Sequence, residues 1–98
     1  MKPLRDPEQA ELRHLVEVCQ LQGKVVLEIG CGDGGFTRQY AHLTNRVVGI
    51  DPLLTEVKLA KKRNQLAKYR KMHFLLGEAQ TLPFPNQTFD VVIFASSL

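Results

Sequence analysis

Apolar positions along the chain fall into two patterns that take turns. Val25 to Ile29, Val47 to Ile50, Met72 to Leu76 and Phe89 to Ala95 are short, nearly continuous runs, most of them rich in β-branched residues. Runs that brief predict strands of a parallel sheet, and the fourth, nearly all apolar, reads as one covered on both faces. Between them the spacing lengthens. Phe36, Tyr40 and Leu43 recur at helical intervals after the first run, and Leu53, Val57, Ala60 and Ala67 after the second, with Asn64 interrupting. Further upstream, Leu12, Leu15, Val16 and Cys19 predict an N-terminal helix capped by Asp6, with Pro7 in its first turn and Gly23 at its end. Strands that alternate with helices form right-handed crossovers. The prediction is a single α/β domain, a helix over 1–23 and a Rossmann-like core over 24–98 whose four parallel strands run in the order 3-2-1-4.

That order puts an apolar fourth strand at an edge with only Ser96, Ser97 and Leu98 behind it. The expectation is a truncated unit: the N-terminal half of a larger domain, or a protomer completed by a partner.

The first strand breaks into Gly30-Cys31-Gly32-Asp33-Gly34-Gly35, and a helix follows. Strand, glycine loop and helix together let backbone amides approach a ligand closely. Asp51 closes the second strand, where an acid can accept hydrogen bonds from ribose hydroxyls. Asp51-Pro52 then predicts a helix opening with proline at its start. Glu78 places another acid after the third strand, and Thr81 to Gln87, with Pro83, Pro85 and Asn86, reads as a loop crossing the sheet.

These residues resemble the class I S-adenosylmethionine-dependent methyltransferases, in particular the small-molecule branch with a Leu-Pro-Phe-Pro loop. Val26 to Gly34 is similar to the family's first motif and Val47 to Asp51 to its second. Gly77-Glu78-Ala79 through Leu82-Pro83-Phe84-Pro85 to Phe89-Asp90-Val91-Val92 resembles the third and fourth. The resemblance implies S-adenosyl-L-methionine as cofactor and a small-molecule methyl acceptor. It implies that Gly30 and Gly32 line the methionine end with Glu28 orienting it, and that Asp51 binds the ribose. Glu78, one methylene longer than the family's usual Asp, would reach the adenine amino group, and Ala79 would offer its amide. Cys31, Asp33, Gly34, Pro52 and Ala95 complete the implied contacts. No catalytic acid, base or nucleophile is implied, because an activated methyl group asks chiefly for in-line positioning. The Asn-Pro-Pro-aromatic motif of the nucleic-acid and glutamine branches is absent after the fourth strand.

Two other readings stand beside this one. Gly30 to Gly35 also satisfies G-x-G-x-x-G with Asp51 at a fitting distance, as in a nicotinamide oxidoreductase, although Glu28 and the Gly77 to Val92 block are unneeded there. A cofactor-binding half that no longer catalyses, or that activates a partner, is the other.

Composition narrows the rest. With 44% hydrophobic and 23% charged residues the chain is of ordinary globular type. No apolar run approaches membrane-spanning length, so a cytoplasmic protein without a membrane partner is expected. Cys19 and Cys31 are too few and too distant for a disulfide framework or zinc site, and no metal is expected. His14, His42 and His73 lack ligand-spaced companions. The net charge of +3 is uneven: Lys58, Lys61, Lys62, Arg63, Lys68, Arg70 and Lys71 cluster without an acid. The cluster reads as a solvated helix face rather than a nucleic-acid site.

Overall fold

The computed structural model describes residues 20–68, 70–78 and 88–95. The N-terminal helix, the Leu-Pro-Phe-Pro loop and Ala79 lie outside the described residues.

Four parallel strands form the sheet: β1 (Val25–Ile29), β2 (Arg46–Asp51), β3 (Met72–Leu76) and β4 (Val91–Phe94). Their order is β3-β2-β1-β4, as expected from the doubly wound pattern. Register is set by Val26 opposite both Val47 and Val91, and by Gly49 opposite Phe74. Two helices carry the crossovers. Helix α1 (Gly35–Tyr40) joins β1 to β2 and tightens into a 3-10 turn at Ala41–Leu43, while α2 (Leu54–Ala67) joins β2 to β3.

Alternation along the strands decides which residues meet the helices. Val26, Val47, Met72, Phe74 and Ile93 pack with Tyr40, Ala41, Val57 and Ala60 into one core. Phe36 and Leu43, half-buried, pack against it, which accounts for the helical spacing seen in the sequence.

Helix α2 corrects two expectations. It begins at Leu54, after an extended Leu53, and Pro52 sits in a bend ahead of it. The reason is local: an Asp51 carboxylate oxygen accepts the Leu53 amide at 2.9 Å, and this turn uses the residues that a helix start at Pro52 would need. The buried seam is also narrower than the apolar spacing implies. Val57 and Ala60 are buried, whereas Leu53 and Ala67 are exposed. Asn64, which interrupts the apolar spacing, lies on the same face and donates its side-chain amide to the Met72 carbonyl at 2.9 Å. A polar tie to β3 takes the place of an apolar contact.

β4 is shorter than its apolar run and is not covered on both faces by the described residues. Ile93 is buried against the helices, but Val92 is 47% and Phe94 73% exposed. Asp90 ends the run by pairing with β1, its amide donating to the Val25 carbonyl and its carboxylate accepting the Val25 amide.

Candidate functional site

Because the strands are parallel, the loops that leave β1, β2, β3 and β4 all emerge at one end of the sheet. The glycine loop is folded back onto the tip of β2. Gly30 and Cys31 both donate their amides to the Ile50 carbonyl, at 2.8 and 3.0 Å, and Gly34 donates to the Cys31 carbonyl. Gly30, Gly32 and Gly34 all have positive φ, a run of left-handed steps that side chains with a Cβ resist. Gly34, which caps α1, is confined sterically as well. A Cβ there would lie 2.9 Å from the Phe74 ring.

Asp51 is the hub of this end. One carboxylate oxygen accepts the Gly32 amide at 2.9 Å and the other accepts the Leu53 amide at 2.9 Å. Its own carbonyl accepts the Gly77 amide at 3.1 Å. The loops after β1, β2 and β3 are therefore tied to one residue, itself only 3% exposed. The fourth strand joins through the Ala95 amide, which donates to the Ile29 carbonyl at 2.9 Å. Glu78 is exposed just beyond β3, and Pro52 is exposed just beyond β2.

Glu28 works from beneath. It is wholly buried, and its carboxylate accepts hydrogen bonds from the hydroxyls of Thr37, at 3.0 Å, and Tyr40. A buried carboxylate is tolerable only when hydrogen-bonded, and here the donors come from the helix that follows the loop. Burial, followed by the neighbouring Glu28 charge, pushes the Tyr40 phenol up so that it stays a donor. The strand before the loop and the helix after it are thereby locked together. In this structure Glu28 positions the loop and has no surface to offer a ligand.

Asp33 is likewise committed to the fold. Its carboxylate accepts the Gly35 amide at 3.0 Å and pairs with Arg63 of α2 at 2.6 Å, and its carbonyl accepts Arg38 at 3.0 Å. Cys31 is buried, and burial first, then Glu28 and Asp51, push its thiol from 9.0 up to about 12. It is a small apolar plug under the loop, without nucleophilic character. Among the described residues no group of histidines, cysteines or acids could hold a metal ion. Ala79 lies outside the described residues.

Sequence reasoning passed over Thr37 and Gly49, counted Arg63 only within a solvated cationic face, and saw Tyr40 only as part of a periodic face. Gly49 carried a readable signal, a lone glycine inside an apolar strand. A Cβ there would lie 2.9 Å from the Cys31 Cβ and 3.0 Å from Phe74, so its absence lets the loop lie down on β2. Thr37 and Tyr40 had no such signal, since only the fold brings them to Glu28.

The chain is similar to known proteins in sequence and fold. A methyltransferase-domain family model matches residues 26–98. The phthiotriol/phenolphthiotriol dimycocerosates methyltransferase of Mycobacterium leprae is 40% identical over 78 residues, covering 74% of this chain and 27% of that protein. The fatty-acid O-methyltransferase of Mycolicibacterium smegmatis is 34% identical over 79 residues, covering 79% and 28%. Among solved structures, the phosphoethanolamine N-methyltransferase of Haemonchus contortus, in complex with phosphoethanolamine and S-adenosylhomocysteine, is 26% identical. It has a TM-score of 0.72 and covers 83% of this chain and 17% of that one. The chain thus spans about a quarter of the length of the curated relatives it matches.

Proposed function

This chain belongs to the methyltransferase-domain family, and on that premise we propose that it is the cofactor-holding part of an enzyme that transfers a methyl group from S-adenosylmethionine to a small, lipid-like acceptor. Asp51 carries the reading. Its carboxylate accepts one backbone amide on each oxygen, which uses about two of roughly four acceptor positions. What remains is an immobilised acceptor-only group at the strand tips, suited to a ribose diol, whose hydroxyls donate.

Around it the proposed contacts divide by chemistry. Gly30, Cys31, Gly32 and Gly34 present backbone toward the methionine end, and Asp33 keeps the loop in place through Arg63 and Gly35. Glu28 braces that loop from the core. Pro52, the exposed Glu78 and Ala95 border the nucleoside side. When bound, the sulfonium cofactor supplies an already activated methyl group. The task left to these residues is to hold it still and in line with the acceptor. The acceptor class is supported by relatives named for dimycocerosates and fatty acids. Among the described residues no helix is long and apolar enough to cross a membrane, which agrees with an enzyme that works from the aqueous side; a cytoplasmic location is part of the proposal. So is the completion of β4 by a further segment or a second protomer.

Calorimetric titration with S-adenosylmethionine, S-adenosylhomocysteine and NAD in parallel tests the reading. The expected result is binding of the first two and not of NAD. Binding of NAD alone would overturn it.

A further inference from the structure

Charge is segregated along the strand axis. Asp33, Asp51 and Glu78 stand at the tips where the strands end, and Glu56 lies in the first turn of α2 beside them. The opposite end, where the chain re-enters the sheet, carries one described acid, Asp90, which accepts the Val25 amide, and is otherwise basic. Lys24 precedes β1, Arg46 begins β2, and Lys68, Arg70 and Lys71 lead into β3. At that end, between the 3-10 turn and the α2–β3 connection, lies a recess of about 510 Å³ lined by Arg38, His42, Lys68, Arg70 and Lys71, with Ala41 and Met72 completing its wall.

Among the described residues no carboxylate lines it. Among the described residues Arg63 is the cation paired with an acid, Asp33, while Arg38, Lys68, Arg70 and Lys71 form no ion pair. Lys71 is instead held by neutral acceptors, the Thr44 carbonyl at 2.9 Å and the His42 carbonyl at 3.4 Å. Arg38, by contrast, extends to the glycine loop, its guanidinium donating to the Asp33 carbonyl. Lys71 is thus fixed in place without being neutralised, and Lys68 and Arg70 stand exposed beside it. The carbonyl end of α2 accounts for a cation or two. It does not account for three around one concavity, because like charges gathered without an anion repel.

We infer that this recess is a binding site for phosphate groups, separate from the glycine-loop site and at the other end of the sheet. Guanidinium and ammonium donors around a concave wall are the chemistry that recognises a phosphate dianion. The phosphate can belong to a soluble phosphorylated metabolite or to a lipid headgroup. The inference does not depend on the methyl-transfer reading, since none of these residues belongs to the proposed cofactor site.

The test compares the wild-type protein with two doubly substituted variants of equal net charge. Lys68→Gln/Arg70→Gln alters the recess, and Lys58→Gln/Lys61→Gln alters the exposed face of α2. Each is titrated with pyrophosphate, and with vesicles of phosphatidylcholine alone or mixed with phosphatidylserine, at physiological salt. Circular dichroism confirms that the exposed substitutions leave the fold intact. The expected result is binding of pyrophosphate, of the anionic vesicles or of both, weakened by about tenfold or more in the recess variant and little changed in the other. Pyrophosphate alone identifies a soluble ligand, and anionic vesicles alone identify a headgroup. Equal weakening in both variants would reduce the effect to diffuse charge and overturn the site. So would the absence of wild-type binding to either probe.

Discussion

Replacing Asp51 by asparagine is the sharpest perturbation of the site, because it keeps the shape and removes half of the acceptor capacity. Asp51 accepts from Gly32 with one oxygen and from Leu53 with the other, both at 2.9 Å. An asparagine has one acceptor oxygen, so its NH2 group must face one of those amides, donor against donor. The Leu53 amide is part-buried and can recruit water, whereas the bond to Gly32 is buried. The amide oxygen therefore turns to Gly32 and the Leu53 bond is lost. A hydrogen bond to a charged group contributes about 1.5–3 kcal/mol, which is the expected destabilisation for Asp51→Asn. Asp51→Ala loses both bonds and strands the Gly32 amide, for a total of about 3–5 kcal/mol. Urea denaturation reads this as a lowered midpoint at unchanged slope, with alanine worse than asparagine. Below the onset of unfolding, titration with S-adenosylmethionine should show affinity weakened by about 10- to 100-fold in the alanine variant, the equivalent of 1.5–3 kcal/mol. Wild-type stability in both variants would refute the hub role. Wild-type affinity in a destabilised but folded Asp51→Ala protein would refute the ribose assignment and leave the hub intact.

Three further outcomes follow from the same geometry. Gly34→Ala adds a left-handed alanine whose Cβ meets the Phe74 ring at 2.9 Å. A loss of about 2–4 kcal/mol is expected by urea denaturation, and a neutral result would mean that the loop has another conformation. Tyr40→Phe leaves the buried Glu28 carboxylate with one donor fewer. It should cost about 1.5–3 kcal/mol, and a change below about 0.5 kcal/mol would show that the hydroxyl does not support Glu28. For Cys31 the folded thiol titrates near 12 and the unfolded one near 9.0, so between these values the native state holds the extra proton. Stability should be flat below about pH 9 and fall as pH rises through that window, with the Tyr40 phenol adding the same sign. Denaturation midpoints from about pH 8 to 10.5 for the wild type and Cys31→Ala test this, and identical slopes would contradict it.

The sequence alone was enough to predict the α/β class, the strand order, the glycine loop and the place of Asp51 at the end of the second strand. All of these rest on local properties: β-branched runs, glycines at a strand end, and the handedness of the crossover. β3 begins and ends where its apolar run does. What tertiary structure decided is where side chains find partners across large separations. Asn64, which breaks an apolar spacing, becomes a tie to Met72. Glu28, a strand-end acid in sequence, is buried beneath the loop because Thr37 and Tyr40 rotate onto its side of the sheet. Asp33 is claimed by Arg63, thirty residues away, from within a run of cations that looked uniformly solvated. The start of α2 moved past Pro52 because the Asp51 carboxylate claimed the Leu53 amide. Periodicity reports which face a residue occupies. Which donor reaches a buried acceptor depends on how β1, the helices and the loop pack together, and that is set only when the sheet has formed.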